Sequence, residues 1–330
     1  MDANALQQLL STRTLLKGDL SGAVLAGQDL SECRLEDCDL GGCDLTGASL
    51  HGAHFVRCSL RGARLDGLMA TRTDFTGVDF TGASAIKADF AKSFFQACDF
   101  SSADFSEASL LRADCTECRF AGTRLQNADL TRCSVRATDL KTVVFANNRM
   151  EMTYLANSDL GGQRFPGCDL ALTLFLGCQL QQADFTGLKL DRTRFVDAQL
   201  DGAVLAGVSG QYVALMGASL KKADLRNASF EFSDASEANF CEAQCKGIRF
   251  EKSRLVGADC RQSSWVSALL NYTDCSHAQF DGADFMDADF SLANLHSISD
   301  TGTQWSGAHL DSARRTDEAL ARAENWKPAV

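Results

Sequence analysis

The sequence predicts an all-β solenoid on three observations: a strict five-residue period, a small residue two places before most of the large ones, and glycines concentrated at one place in the repeat. Taking every fifth residue from Leu20 to Leu310 gives 59 positions, and Leu or Phe fills 46 of them. The residue two places earlier is Gly, Ala, Cys, Ser, Thr or Val at 52 of the 59, and 22 of the 26 glycines fall two places after the large residue. A helix needs apolar residues every three or four positions and a plain strand every second, so this period fits neither. It fits a short extended segment followed by a corner. Residues i and i+2 of a strand point the same way, so the small and the large residue both face inward. The residues from one large position to the next small one then form a turn, with glycine where a type II turn requires positive φ. Where glycine is replaced, as at Glu107 or Lys222, another turn type is expected.

Three segments follow in order. Residues 1–15 read as an N-terminal cap, helical because Ala5, Leu6, Leu9 and Leu10 recur at helical spacing. Residues 16–312 are the array, which runs without insertion; Ala70, Ala85, Gly210 and Asp300 are departures at the large position, and Asn147–Met152 and Gly210 are where a bulge or bend is expected. Residues 313–330 favour a C-terminal helix, with Ala319, Leu320, Ala323 and Trp326 along one side until Pro328. That helix reads as an edge cover or as a dimer contact.

The residue between small and large is often Asp, as in Ala103-Asp104-Phe105, Ala128-Asp129-Leu130 and Ala223-Asp224-Leu225. The resulting pattern A-(D/N)-(L/F)-x-x resembles the pentapeptide repeat family over almost the whole chain. The resemblance implies a right-handed quadrilateral parallel β-helix with four repeats per coil, hence about 15 coils at the ~4.8 Å spacing of stacked strands. It implies Leu and Phe ladders filling the axis, no interior cavity for a substrate, and ends that need capping. Some members of the family pair through their C-terminal ends, so a monomer or a homodimer of that kind is expected.

Composition narrows the function. A net charge of −11 opposes direct binding of nucleic acid or of an anionic membrane surface. There is no basic-then-apolar leader and no run long enough to span a membrane, so a cytoplasmic location is expected. Of the 14 cysteines, nine occupy the small inward position and four the large one, leaving Cys241 outward. They read as packed, reduced thiols, and Cys115-x-x-Cys118 as coincidence. The five histidines (His51, His54, His277, His296, His309) all fall at outward positions without ligand spacing. No catalytic grouping, metal site or cofactor motif emerges, so the chain is expected to be no enzyme and to need no cofactor.

The surface is where a repeat protein differs from its own pattern. With residues 20 apart stacked, one corner carries a single glycine, Gly52, in fourteen levels. Its first half is a basic ladder of Arg72, Lys92, Arg112 and Arg132. Its second half carries Met152, Leu172, Tyr212, Phe232, Tyr272 and Leu292, with Arg192 and Lys252 interleaved, and neighbouring columns add Tyr154, Leu174, Leu176 and Met216. Grouped exposed aromatics and methionines are what a partner interface shows. The expectation is therefore a protein–protein interaction scaffold, or adaptor, whose partner binds this apolar-aromatic edge. The long array also resembles family members that accompany bacterial type VI secretion components, which points to a secretion effector or spike component as that partner. A second column stacks Asp19, Asp39, Asp79, Asp99, Asp139 and Asp159. Because the family includes topoisomerase-protecting DNA mimics, the alternative expectation is a gyrase inhibitor or protector with a topoisomerase as partner.

Overall fold

The computed structural model describes residues 3–324 and Trp326, so Pro328 lies outside the described residues. The chain forms two compact units, Met1–Leu174 and Phe175–Val330. Each is an all-parallel β-solenoid. A short helix, α1 (Ala3–Thr12), begins the first unit, and another, α2 (Glu318–Glu324), ends the second.

In the first unit three-residue strands recur every 20 residues: β1 (Thr14–Leu16), β2 (Arg34–Glu36), β3 (His54–Val56), β4 (Asp74–Thr76), β5 (Phe94–Gln96), β6 (Asp114–Thr116), β7 (Ser134–Arg136) and β8 (Tyr154–Ala156), with β9 (Leu174–Leu176) completing the series. Within the first unit β1 to β8 stack in chain order as one parallel sheet, about eight turns of stacked strand. The register is constant: Leu35 faces Phe55 and Phe55 faces Phe75. The remaining faces are held by single bridges at the same offset, such as Asp19↔Asp39, Val24↔Asp44 and Asp29↔Ser49. In the second unit all four successive repeats use such bridges, as in Arg194↔Ala214, Gln199↔Ser219, Val204↔Asp224 and Ser209↔Ser229. Neither Asn147–Met152 nor Gly210 interrupts the register, since Arg149 pairs with Asp129 and Asp169, and Ser209 with Lys189 and Ser229.

The inward positions form the core. Identical rings meet one coil apart: Phe75 and Phe95 stack at 5.0 Å and 5° in the first unit, Phe175 and Phe195 at 5.2 Å and 3° in the second. Offset stacks at this separation add to the burial that each ring already contributes. A void of about 20 Å³ lies among Leu110, Cys115, Phe120, Leu130 and Val135. Its lining is apolar apart from Thr153, whose hydroxyl already donates to the Leu130 carbonyl at 2.7 Å, so it offers a water little to bond.

The corners correct one expectation. Glu107 and Lys222 do not adopt another turn type: their φ values are 61° and 58°, beside 60° at Gly62 and 66° at Gly202. The reason is the hydrogen bond each corner makes along the stack. The Glu107 N–H donates to the Gln126 carbonyl at 2.8 Å and the Lys222 N–H to the Cys241 carbonyl at 3.0 Å, as the Gly62 N–H does to the Thr81 carbonyl at 2.9 Å. Leaving that bond unmade costs about as much as left-handed backbone does, and it would break the ladder between coils, so stacking fixes φ whatever the side chain.

At the N-terminus α1 buries Ala5 and Leu9, while Leu10 is exposed. The C-terminal α2 buries none of its residues, and Leu320 and Trp326 are exposed. Among the described residues no helix is long and apolar enough to cross a membrane.

Candidate interaction surfaces

In the second unit, the corner that departs from glycine presents Arg192, Tyr212, Phe232, Lys252, Tyr272 and Leu292 one above another. All six have φ between 55° and 60°. Each of the first five donates its backbone N–H to a carbonyl of the next coil, Tyr212 to Glu231 and Phe232 to Glu251 at 3.1 Å. That register forces the side chains into one outward line. Tyr212 is 54% exposed, Tyr272 55% and Leu292 48%, which is far from core burial. The Tyr212 and Phe232 rings stack at 5.4 Å and 21°. The Arg192 guanidinium lies 5.8 Å from the Tyr212 centroid and the Lys252 ammonium 5.2 Å from that of Phe232. Two cations thus close the ends of a stacked aromatic pair, each cation–π contact contributing about 0.5–1 kcal/mol at an exposed site. The sequence showed the six side chains in a column. That the cations clasp the rings follows only from side-chain directions.

The other predicted members are less exposed. Met152, Tyr154, Leu172 and Leu174 in the first unit are half-buried, as are Leu176 and Met216 in the second. Sequence reasoning missed Met286, which is exposed at an outward position of the second unit. In the first unit Arg72, Lys92, Arg112 and Arg132 are exposed, at φ 56–62°.

The acidic column has a structural occupation. Asp19 Oδ1 accepts the Ser21 N–H at 2.8 Å, and the same bond recurs from Gly41 to Asp39, Thr81 to Asp79, Ser101 to Asp99, Lys141 to Asp139 and Gly161 to Asp159, all within 3.0 Å. These are Asx-turn bonds that satisfy the first amide of each corner, which is the physical reason the repeat favours Asp before its large residue. Asp79 is in addition paired with Arg61, Asp99 with Arg119, and Asp159 with Lys141.

Among the described residues no cysteine is in a disulfide, and except for half-buried Cys241 all are buried. Several also act as hydrogen-bond donors at the corners that follow β2, β3, β5 and β6. The Cys38 thiol lies 3.4 Å from the Leu15 carbonyl and Cys98 3.3 Å from that of Phe75. Burial pushes the Cys43 thiol up to about 12 and that of Cys168 to about 11, far from the reactive thiolate range. The contact between the Cys115 and Cys118 thiols raises Cys115 and lowers Cys118, and both sulfurs are buried, so the C-x-x-C spacing presents no accessible pair.

One histidine departs from its predicted outward place. His296 is buried, because the segment leading into α2 and α2 itself fold over its position. The Asp317 N–H donates to His296 Nδ1 at 3.1 Å, and Glu324 lies 3.1 Å from His296 Nε2 and 3.5 Å from His277 Nε2. The three side chains form a cluster with ligand atoms within 4.8 Å of one another. A backbone amide can only donate, so Nδ1 is an acceptor and the neutral ring carries its proton on Nε2, aimed at the Glu324 carboxylate. A metal on Nε2 would need that proton displaced while Nδ1 remained unprotonated. The cluster therefore reads as a latch for α2 rather than a ligand set.

The comparisons agree with this architecture. A model for pentapeptide repeats matches eight stretches of the chain: residues 19–55, 58–96, 98–136, 153–187, 178–209, 218–257, 243–287 and 266–296. A search of curated protein sequences matched none. Among solved structures the chain is similar to HetL, a pentapeptide repeat protein involved in heterocyst differentiation regulation in the cyanobacterium Nostoc sp. Strain PCC 7120, at 20% identity over 95% of this chain and 96% of that one, with a TM-score of 0.25. It is similar to full-length QnrB1, a plasmid-mediated fluoroquinolone resistance protein, at 18% identity over 60% and 93%, with a TM-score of 0.30. A thylakoid-lumen pentapeptide repeat protein from Arabidopsis thaliana shares 26% identity over 36% and 66%, with a TM-score of 0.16. Superpositions this loose say nothing about function. The matched repeats span most of the sequence and coincide with the observed corners and inward ladders, and on that ground the chain belongs to the pentapeptide repeat family.

Proposed function

We propose that this protein is a non-enzymatic interaction scaffold that captures another protein through the aromatic corner of its second unit, Arg192 to Leu292. One observation carries the reading. Tyr212, Phe232, Tyr272 and Leu292 are large, 37–55% exposed and held at φ 56–60°, where glycine would fit without strain. Left-handed backbone costs a non-glycine residue about 1–2 kcal/mol; the ring stack and the two cation–π contacts return part of that at Tyr212 and Phe232, and exposure returns little at Tyr272 and Leu292. A partner that buries them supplies the missing gain, and aromatic side chains at the centre of a contact are its usual anchors.

The finer points of shape belong to the same reading. A right-handed course is carried over from the family resemblance, and a quadrilateral one with about 15 coils is supported by the 20-residue offset of the strand pairs and bridges within each unit. A bacterial secretion effector or spike component is the partner class put first, on the length and regularity of the array. The acidic column supports the topoisomerase-directed reading less, since its carboxylates are engaged by corner amides and partly by Arg and Lys.

The test is a capture experiment from native lysate with the parent protein and a variant carrying Tyr212→Ser, Phe232→Ser and Tyr272→Ser. The parent should retain a specific partner and the variant should lose it while keeping the parent's circular dichroism. Equal capture by both would refute the assignment. In a gyrase supercoiling assay the parent should have no effect at micromolar concentration, and inhibition or protection would favour the DNA-mimic reading.

A further inference from the structure

We infer that the basic ladder of the first unit is a second docking site, built to receive an acidic face of an α-helix from a partner protein. This inference rests on the scaffold reading above but on different residues. Arg72, Lys92, Arg112 and Arg132 stand on one corner, exposed and in a straight line set by the bonds of Arg72 to Ala91, Lys92 to Leu111, Arg112 to Thr131 and Arg132 to Glu151. Among the described residues none of the four has a carboxylate within ion-pair distance. Elsewhere in the same unit Arg57, Arg61, Arg64, Arg119, Arg124 and Arg136 each have one at 2.7–3.7 Å. The repeat readily supplies acids one coil away, as Asp44 does for Arg64, yet at this corner it does not.

Spacing selects the occupant. Stacked coils place the four cations at about 0, 4.8, 9.6 and 14.4 Å. Residues i, i+3, i+7 and i+10 of a helix lie on one face at about 0, 4.5, 10.5 and 15 Å along its axis. The match holds within about 1 Å throughout. An extended acidic peptide puts same-face side chains about 6.8 Å apart and overshoots the last cation by about 6 Å. Nucleic acid fits worse, because the line is one residue wide and flanked by Asp89 and Asp129 on one side and Asp74 and Asp114 on the other, in a chain of net charge −11. Beyond the cations the same corner continues with half-buried Met152 and Leu172. The complementary helix is therefore acidic for about three turns and apolar thereafter.

The probe is a fluorescein-labelled helical peptide with Glu at positions 1, 4, 8 and 11 and Leu at 15 and 18, read by fluorescence polarisation against the full chain. A second peptide has the same composition with its acids spread round the helix. The patterned peptide should bind, and more weakly as salt is raised. Arg72→Gln, Lys92→Gln, Arg112→Gln and Arg132→Gln together should weaken it on the order of tenfold or more, since each exposed pair contributes a factor of about 1.5–5. The triple Tyr212, Phe232 and Tyr272 variant should bind it unchanged, which separates this site from the aromatic corner. Equal binding of the dispersed peptide, tighter binding of a single-stranded oligothymidylate, retained binding by the quadruple variant, or no binding at about millimolar peptide would each overturn the inference.

Discussion

Replacing Glu237 by glycine is expected to stabilise the second unit, and replacing Gly257 by alanine to destabilise it by a similar amount. The two residues occupy the same corner one coil apart, at φ 60° and 66°, and bond in the same way: Glu237 N–H to the Val256 carbonyl at 2.8 Å, Gly257 N–H to the Ser276 carbonyl at 2.9 Å. A Cβ on Gly257 would meet only the Glu237 Cγ at 3.8 Å, an ordinary contact, so sterics with neighbours do not enter. What differs is backbone strain. Left-handed φ costs an L-residue about 1–2 kcal/mol, and glycine returns about 0.5–1 kcal/mol of that through the greater freedom of its unfolded chain. The net expectation is a gain of about 0.5–1 kcal/mol for Glu237→Gly and an equal loss for Gly257→Ala. Repeat arrays can unfold in pieces, so a local reporter serves better than a global melt. Trp265 is fully buried in the same unit, its indole N–H donating to Ser263 Oγ at 2.7 Å, and in a Trp305→Phe, Trp326→Phe background its fluorescence in a urea titration reads the relevant coils. If Glu237→Gly lowers the urea midpoint as far as Gly257→Ala does, corner strain is not what separates the two positions, and the strain argument for the aromatic corner falls with it.

Three further outcomes are expected. His296→Ala should release α2, because it removes the acceptor for the Asp317 amide and the partner of Glu324; trypsin should then cut after Arg322 faster than in the parent, and unchanged cleavage would dismiss the latch. Stability should hold from neutral pH to about pH 5 and decline below about pH 4. Asp19 and Asp281 are held below the usual carboxylate range by the hydroxyls of Ser21 and Ser299, and Asp224 and Asp259 by Arg226 and Arg261. A depressed folded pKa gives stability that is complete above the unfolded value and is lost as pH falls through the folded one, so a urea midpoint that rose on acidification would contradict the sign. Iodoacetamide at neutral pH should modify Cys241 in the folded protein and leave the buried thiols, such as Cys43 and Cys168, unmodified until urea is added, as counted by intact mass.

Much of the fold was legible because every coil repeats the same local argument. Leu20 and Ala23 face inward for the reason that Leu220 and Ala223 do, and the 20-residue register carries that reason along each unit. The conformation of Glu107 was not legible, since turn preferences describe isolated turns and here the next coil's carbonyl dictates φ. The burial of His296 escaped for a related reason: its column is outward by period, and what covers it lies 21–28 residues further on and outside the period. The aromatic and basic columns could be found by counting in twenties. Which cations are paired could not, because Arg64 reaches Asp44 whereas Arg72 reaches no carboxylate, and only side-chain directions separate the two.

The corner bond from each coil to the next has a consequence for how such a surface can change over generations. Because the amide of the corner residue holds the register and its side chain does not, the course of the backbone there is nearly independent of which side chain it carries. A mutation there alters one character in a line of text without moving its neighbours, whereas on a helix face or loop the same change would disturb packing or path. New recognition lines can therefore be composed one letter at a time on a frame that stays the same.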